Sequence, residues 1–125
     1  MKNVIVTGAN GFLGKTLVKS LLNNGYSVVA LDIRFDDVLA NDNRVTCINV
    51  NNKEITEIEK AIPEEDYLYL FHLAWAGTSG GARADYNLQL KNIELTCNYV
   101  KLCKKLKCKR FVYASSINEM ETYEY

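Results

Sequence analysis

Gly8, Gly11 and Gly14 stand at intervals of three in the stretch VTGANGFLG, and an acidic residue, Asp32, lies 24 residues after the first of them. Glycines so spaced suit a strand that turns sharply into a helix. Gly8 permits the tight turn, Gly11 lets a pyrophosphate approach the backbone, and Gly14 lets the helix pack close to the strand. Backbone N–H groups at the helix start then face the phosphates, aided by the helix dipole. A Gly-x-x-Gly-x-x-Gly string by itself also serves as a plain turn before many helices. The context separates the two readings: Asp32 ends the next β-type run, where its carboxylate can accept hydrogen bonds from both hydroxyls of an adenosine ribose. Nucleoside triphosphate hydrolysis is not expected of this loop, and a dinucleotide is. Asp32 repels a 2′-phosphate, which favours NAD over NADP, while Arg34 two residues on keeps an NADP reading open.

Those residues need elements to hold them. NVIVTG reads as a strand, and FLGKTLVKSLLNNG places Leu13, Leu17, Val18 and Leu21 on one helical face before Asn24-Gly25 ends the helix. YSVVALD is a second strand and RVTCINV a third, and EITEIEKAIP is a short helix stopped by Pro63, the only proline. YLYLFHLAWAG supplies a fourth strand whose apolar first half suits a position covered on both faces. The glycine-rich AGTSGGA makes a loop, a long helix runs from about Tyr86 to Leu106, and KRFVYASS closes as a fifth strand. Strands separated by helices imply right-handed crossovers and a parallel sheet. The expected architecture is a Rossmann-type doubly wound α/β fold of about five strands with helices on both faces.

At 125 residues the chain makes one domain, large enough for a real core and too short for two. Its 15 basic residues balance its 15 acidic ones, so no electrostatic case exists for nucleic acid or an acidic membrane surface. MKNVIVTGAN has one Lys and then a short apolar run, unlike a signal peptide, and the longest apolar stretch falls below the roughly 20 residues of a spanning helix. A cytoplasmic protein is expected. Cys47, Cys97, Cys103 and Cys108 lack Cys-x-x-Cys spacing and have a single histidine, His72, beside them, which argues for reduced thiols packed as small hydrophobes and against a metal site.

TGANGFLG, FHLAWAG, NIELTCN and RFVYASS occur in the order and spacing of the extended short-chain dehydrogenase/reductases, the family of NAD-dependent nucleotide-sugar epimerases and dehydratases. The chain resembles that family over essentially its whole length. The resemblance implies NAD as cofactor and a nucleotide sugar as substrate. It implies that Gly8, Gly11, Phe12, Leu13 and Gly14 belong to the pyrophosphate loop and that Asp32 is the ribose ligand. Asn49 falls where the family often has an Asp near the adenine amine. Leu73, Ala74 and Trp75 match the segment lining the nicotinamide-side ribose, and Asn92 matches the family's helix asparagine. Ser115 and Ser116 end the fifth strand where the family keeps its active-site Ser or Thr, with Ser116 the better fit for the catalytic position and Ser115 on the cofactor side.

Departures accompany the likeness. The family usually writes His-Leu-Ala-Ala where this chain has HLAW, and Val-Tyr-Gly where INEME follows the serines. The family's base is a Tyr with a Lys four residues on, well past the active-site Ser; Tyr123 and Tyr125 are too close to Ser116, and no Lys follows either. The 125 residues therefore resemble the first half of such an enzyme, an NAD-binding domain without the Tyr-x-x-x-Lys segment or the substrate domain, and no turnover is expected of them alone. Two functions remain: the NAD-binding portion of an enzyme that transiently takes a hydride from a sugar carbon, or a dinucleotide-binding module without catalysis.

Other residues carry two readings each. His72 touches cofactor or is a hydrogen-bonded core residue, and KKLKCKR is a polyanion site or a set of lysines at the negative pole of a helix. Thr78 and Ser79 bind phosphate or sugar, or simply solvate their loop. On the long helix, Leu88, Leu95, Tyr99, Leu102 and Leu106 form one apolar stripe, while Tyr86, Leu90, Ile93, Cys97, Val100 and Cys103 form a second. One stripe packs on the sheet and the other needs a neighbour, and RFVYASS is left as an open strand edge, so a homo-oligomer is expected, through that edge, that helix face, or both.

Overall fold

Three consecutive residues of the first strand, Val4, Ile5 and Val6, have no exposed surface, although successive side chains of a strand point to opposite faces. Both faces of that strand must be covered, and the architecture follows. In the computed structural model, which describes residues 2–77 and 80–114, the strands are β1 (Lys2–Thr7), β2 (Tyr26–Asp32), β3 (Val45–Asn49), β4 (Tyr67–His72) and β5 (Arg110–Tyr113). They form one sheet in the order β3-β2-β1-β4-β5, with every neighbouring pair parallel. The helices are α1 (Phe12–Asn23), α2 (Asp37–Ala40), α3 (Ile55–Ala61), α4 (Gly80–Ala84) and α5 (Tyr86–Lys105).

Two cores result, one on each face. Val4, Val6, Val28 and Ala30 pack with Val18 and Leu21 of α1. Ile5, Val29, Leu31 and Leu70 pack with Ile58 of α3 and with Tyr99 and Leu102 of α5. Each buried Val, Leu or Ile contributes about 1.5–3 kcal/mol, so the central strand anchors the domain. The expected doubly wound α/β fold is the one observed.

Local chemistry sets the element ends. Gly25, at φ +85°, lets the chain leave α1, and its N–H donates to the Leu22 carbonyl. The long helix stops without a glycine: Lys107 takes φ +58°, its N–H donates to the Lys104 carbonyl, and the Cys108 N–H donates to the Cys103 carbonyl. These two bonds make a Schellman motif. Lys104 and Lys105 lie in the last turn of α5, the position that the helix-pole reading of the lysine run requires, and Lys105 also pairs with Glu59 at 2.9 Å.

Several expectations need correcting. The fourth strand ends at His72: the Leu73 N–H to Thr7 carbonyl bond is the last rung of its ladder with β1, and the segment 73–77 beyond it is a loop. Alternation along YLYLFH is broken where Asn3 pairs with Tyr67 but Val4 with Tyr69, which leaves Leu68 as an extra residue. Two short helices, α2 and α4, occupy segments without helical periodicity. Leu13 does not join the core face of α1 and is 54% exposed; Val18 and Leu21 are buried there as expected, with Leu17 partly buried against them and Gly14 in the place left by Leu13. Cys103 leaves the second stripe of α5 and is buried, because the Schellman turn brings β5 against it and its thiol meets the Arg110 carbonyl at 3.7 Å. Tyr86, Leu90, Ile93, Cys97 and Val100 of that stripe are exposed. Thr78, Ser79, Ser115 and Ser116 lie outside the described residues.

Candidate functional site

Chain order reverses at β1 and β4: from β1 the chain steps outward to β2 and β3, then crosses to the other side of β1. Connections leaving β1 and β4 therefore diverge, and the crevice at the carboxyl ends of these strands is where open α/β sheets bind ligands. Thr7, Asp32, Asn49 and His72 end their strands along this edge.

The glycine turn is shaped by backbone contacts. Gly8 has φ +66°, and a Cβ there would lie 2.8 Å from the Ala74 nitrogen, so this turn and the loop after β4 touch. A Cβ on Gly14 would collide with the Gly8 carbonyl oxygen, which makes the close approach of α1 depend on glycine. Gly11 is the N-cap, in extended backbone with no side-chain cap. A Cβ at Gly11 would meet only the Gly8 oxygen, at 3.3 Å. The first N–H groups of α1 are thus left bare of side chains, flanked by Phe12, 92% exposed, and by Leu13. Bare donors at the positive pole of a twelve-residue helix, approached through glycine, fit a pyrophosphate.

Beside them, the Asp32 carboxylate is held at both oxygens. Oδ2 accepts from the Asn10 N–H at 2.8 Å and Oδ1 from the Ile33 N–H at 2.7 Å. Each oxygen keeps a further lone pair, so the group fits the paired hydroxyls of a ribose. Asn10 Oδ1 accepts from the Asp36 N–H at 2.9 Å, and Lys15 Nζ reaches Asp36 Oδ2 at 2.7 Å. The Lys15 ammonium holds the Asp36 carboxyl below the usual carboxylate range. Asn49 uses its side-chain amide on backbone: Nδ2 donates to the Ile33 carbonyl at 3.0 Å and Oδ1 accepts from the Asn51 N–H at 2.9 Å.

Gly14-Lys15-Thr16 does carry the ending of a triphosphate-binding P-loop, but Ala9 stands where that motif requires its first glycine. Lys15 is bound to Asp36 and the Thr16 hydroxyl donates to the Phe12 carbonyl at 3.1 Å.

On the β4 side the machinery is side-chain built. The Thr96 hydroxyl donates its one proton to the Asn92 carbonyl at 2.9 Å and so accepts from His72 Nε2, 3.1 Å away. His72 Nδ1 is then the acceptor for the Thr7 hydroxyl at 2.7 Å, and the Thr7 oxygen accepts from the N–H groups of Leu73 and Ala74. This chain of bonds requires the neutral Nε2–H tautomer. Burial pushes the imidazole down to about 4, in accord with it. His72 is 3% exposed and lies against Tyr99 and Phe111, so it is a core histidine.

Asn92, also buried, clasps the loop after β4: its Nδ2 donates to the Ala76 carbonyl at 2.8 Å and its Oδ1 accepts from the Ala76 N–H at 3.0 Å. Gln89 Oε1 accepts from the Trp75 indole N–H at 2.9 Å and from Asn92 Nδ2 at 3.1 Å. Gln89 Nε2 faces the carbonyls of Gly77, Ala82 and Arg83. Asn92 and Gln89 thus position the segment that carries Leu73, Ala74 and Trp75.

The model of the NAD dependent epimerase/dehydratase family matches residues 4–124. This chain belongs to that family. D-erythronate dehydrogenase of Haemophilus influenzae is 36% identical over 120 residues, 91% of this chain and 38% of the relative. Short-chain dehydrogenase/reductase family 42E member 1 of Homo sapiens is 29% identical over 118 residues, 94% of this chain and 30% of the relative. Among solved structures, MoeE5 in complex with UDP-glucuronic acid and NAD superimposes with a TM-score of 0.72 at 29% identity, covering 91% of this chain and 36% of that one. The chain thus spans about a third of the length of these relatives.

Within the epimerase/dehydratase domain, the structure gathers Gly8, Gly11, Phe12, Leu13, Gly14 and Asp32 around one turn. It sets Leu73, Ala74 and Trp75 across the crevice, while the amides of Asn49 and Asn92 are engaged with backbone. Thr7, Asn10, Gln89 and Thr96 are the residues that the sequence reading passes over. A polar residue in an otherwise apolar run, as Thr7 is in β1, is the one local signal among them. Among the described residues, no helix is long and apolar enough to cross a membrane.

Proposed function

We propose that this chain is the NAD-binding portion of a nucleotide-sugar epimerase or dehydratase. The observation that carries the reading is the juxtaposition of a helix start bare of side chains with a carboxylate anchored at both oxygens. The α1 N–H groups hold the pyrophosphate, and Asp32 accepts from the adenosine ribose hydroxyls. Leu73, Ala74 and Trp75, positioned by Asn92 and Gln89, line the other ribose. NAD, when bound, accepts a hydride from a sugar carbon and can return it. Ser116 is the catalytic hydroxyl that meets the sugar, with Ser115 beside the cofactor; both assignments rest on the family motif. Asn49 faces the adenine end through the loop it ties to Ile33.

The reading extends to setting and assembly. Four free cysteines suit a reducing, cytoplasmic environment. The exposed stripe of Tyr86, Leu90, Ile93 and Val100, each at least 45% exposed, supports association with a second copy through α5. Sedimentation at micromolar concentration tests this, with Ile93→Glu expected to shift the chain to monomer; a monomeric parent would refute it.

Calorimetry with NAD and NADP tests the cofactor assignment. NAD is expected to bind more tightly, because Asp32 accepts from a free 2′-hydroxyl and repels a 2′-phosphate. Asp32→Asn should narrow the gap. Equal or tighter binding of NADP to the parent chain would overturn the assignment.

A further inference from the structure

We propose that Asn10 is a positioning residue that sets the discrimination between NAD and its 2′-phosphorylated form, acting through the loop after β2 rather than by touching cofactor. The inference rests on the NAD-binding reading above. Residues 33–36 are tied at both ends. At one end, Asn49 holds the Ile33 carbonyl while the Ile33 N–H is bound to Asp32. At the other, the Asp36 N–H is bound to Asn10 Oδ1 and the Asp36 carboxylate to Lys15. Between the ties stands Arg34, exposed and two residues from the ribose-reading carboxylate.

Asn10 occupies both sides of this arrangement. Its backbone N–H fixes Asp32 and its side-chain oxygen fixes the far end of the loop, so the phosphate turn and the ribose carboxylate move as one unit. A 2′-phosphate placed beside Asp32 needs a cation to answer it. Lys15 is engaged by Asp36, and the charge of Arg34 also falls on Asp36, so Arg34 answers a 2′-phosphate only by leaving that carboxylate, which the path of the segment carrying it decides. The Asn10–Asp36 bond fixes that path. Removing it leaves NAD recognition by Asp32 in place and gives Arg34 the freedom to meet a 2′-phosphate.

The test is calorimetric affinity for NAD and for NADP with the parent chain and with Asn10→Ala, Asn10→Asp and Asn10→Ala/Arg34→Ala. Asn10→Ala is expected to lower the NAD-to-NADP preference about fivefold, the scale of one hydrogen bond, chiefly by gain of NADP affinity. Asn10→Asp keeps the acceptor and adds a charge that opposes a 2′-phosphate, so the preference does not fall below the parent value. The double variant regains the preference, since the gain runs through Arg34. Should Asn10→Ala not fold, Asp36→Pro removes the same hydrogen bond from the other partner at a φ of −74° that proline accepts; made in a Lys15→Met background, so that no lysine released from Asp36 can answer the phosphate, it should shift the preference the same way relative to Lys15→Met alone. An unchanged preference in the folded Asn10→Ala or Lys15→Met/Asp36→Pro chain overturns the proposal. Failure of the parent chain to bind either cofactor overturns the NAD-binding reading instead, so the two failures are distinct.

Discussion

The two walls of the crevice are built on different principles. On the β1–β2 side, backbone groups and missing side chains do the shaping: a glycine turn, bare helix amides and a carboxylate held by two N–H groups. On the β4–α5 side, polar side chains from far apart in the chain make a buried relay through Thr7, His72 and Thr96, and a clasp through Asn92 and Gln89. The first wall fails when an atom is added. The second fails when a hydrogen-bond partner is removed, because a buried polar group left alone bears its full desolvation cost.

Gly14→Ala gives the largest effect. Its methyl group would collide with the Gly8 backbone oxygen, and a loss of about 3 kcal/mol in denaturant stability is expected. Gly11→Ala sharpens the contrast: its neighbour is 3.3 Å away, so stability should change little while dinucleotide affinity falls. Equal destabilisation by the two substitutions would break the steric account of this wall.

The opposite wall carries a pH signature. Burial lowers His72 from 6.5 to about 4 in the folded chain, so between those values the unfolded state binds more protons. Stability is therefore full above pH 6.5 and declines as pH falls through the window, by about 3 kcal/mol at its lower end. Chemical denaturation across pH 4–7 should show that slope, and His72→Phe should flatten it while lowering stability at pH 7 by orphaning the Thr7 hydroxyl. A slope unchanged in His72→Phe would assign the titration elsewhere.

Asn92→Ala comes next, at about 2 kcal/mol, since it strips the Ala76 N–H and carbonyl of their partners in a half-buried setting. Gln89→Ala is smallest, about 1 kcal/mol, because its carbonyl partners lie nearer solvent. Trp75 is the only tryptophan and gives this clasp its own readout. Loss of the indole bond should red-shift its emission; an unshifted spectrum would mean that Gln89 does not position the loop.

The contrast explains what could be read from residue order. NVIVTG, YSVVALD and the glycine spacing announce strand, strand and turn because each depends on side-chain alternation or backbone freedom within a few positions. Asp32 follows, since a carboxylate at the end of the second strand has one place to be. Leu13 and Cys103 escaped the same reasoning: a helical face shows which residues align, not how far the sheet extends beneath them. Gly14-Lys15-Thr16 shows the limit from another direction, since the lysine is bound by a carboxylate that no phosphate motif mentions.

The sequence by itself determined the succession of elements, the glycine turn and the place of Asp32 at the end of β2, all of them consequences of local periodicity and backbone conformation. Only the tertiary structure decided that Thr7 meets His72 across 65 positions, that Asn10 meets Asp36 across 26 and that Asn92 meets Ala76 across 16. Such pairings depend on strand register and on where a helix docks. Those follow from burial summed over both faces of the sheet, which no single segment carries.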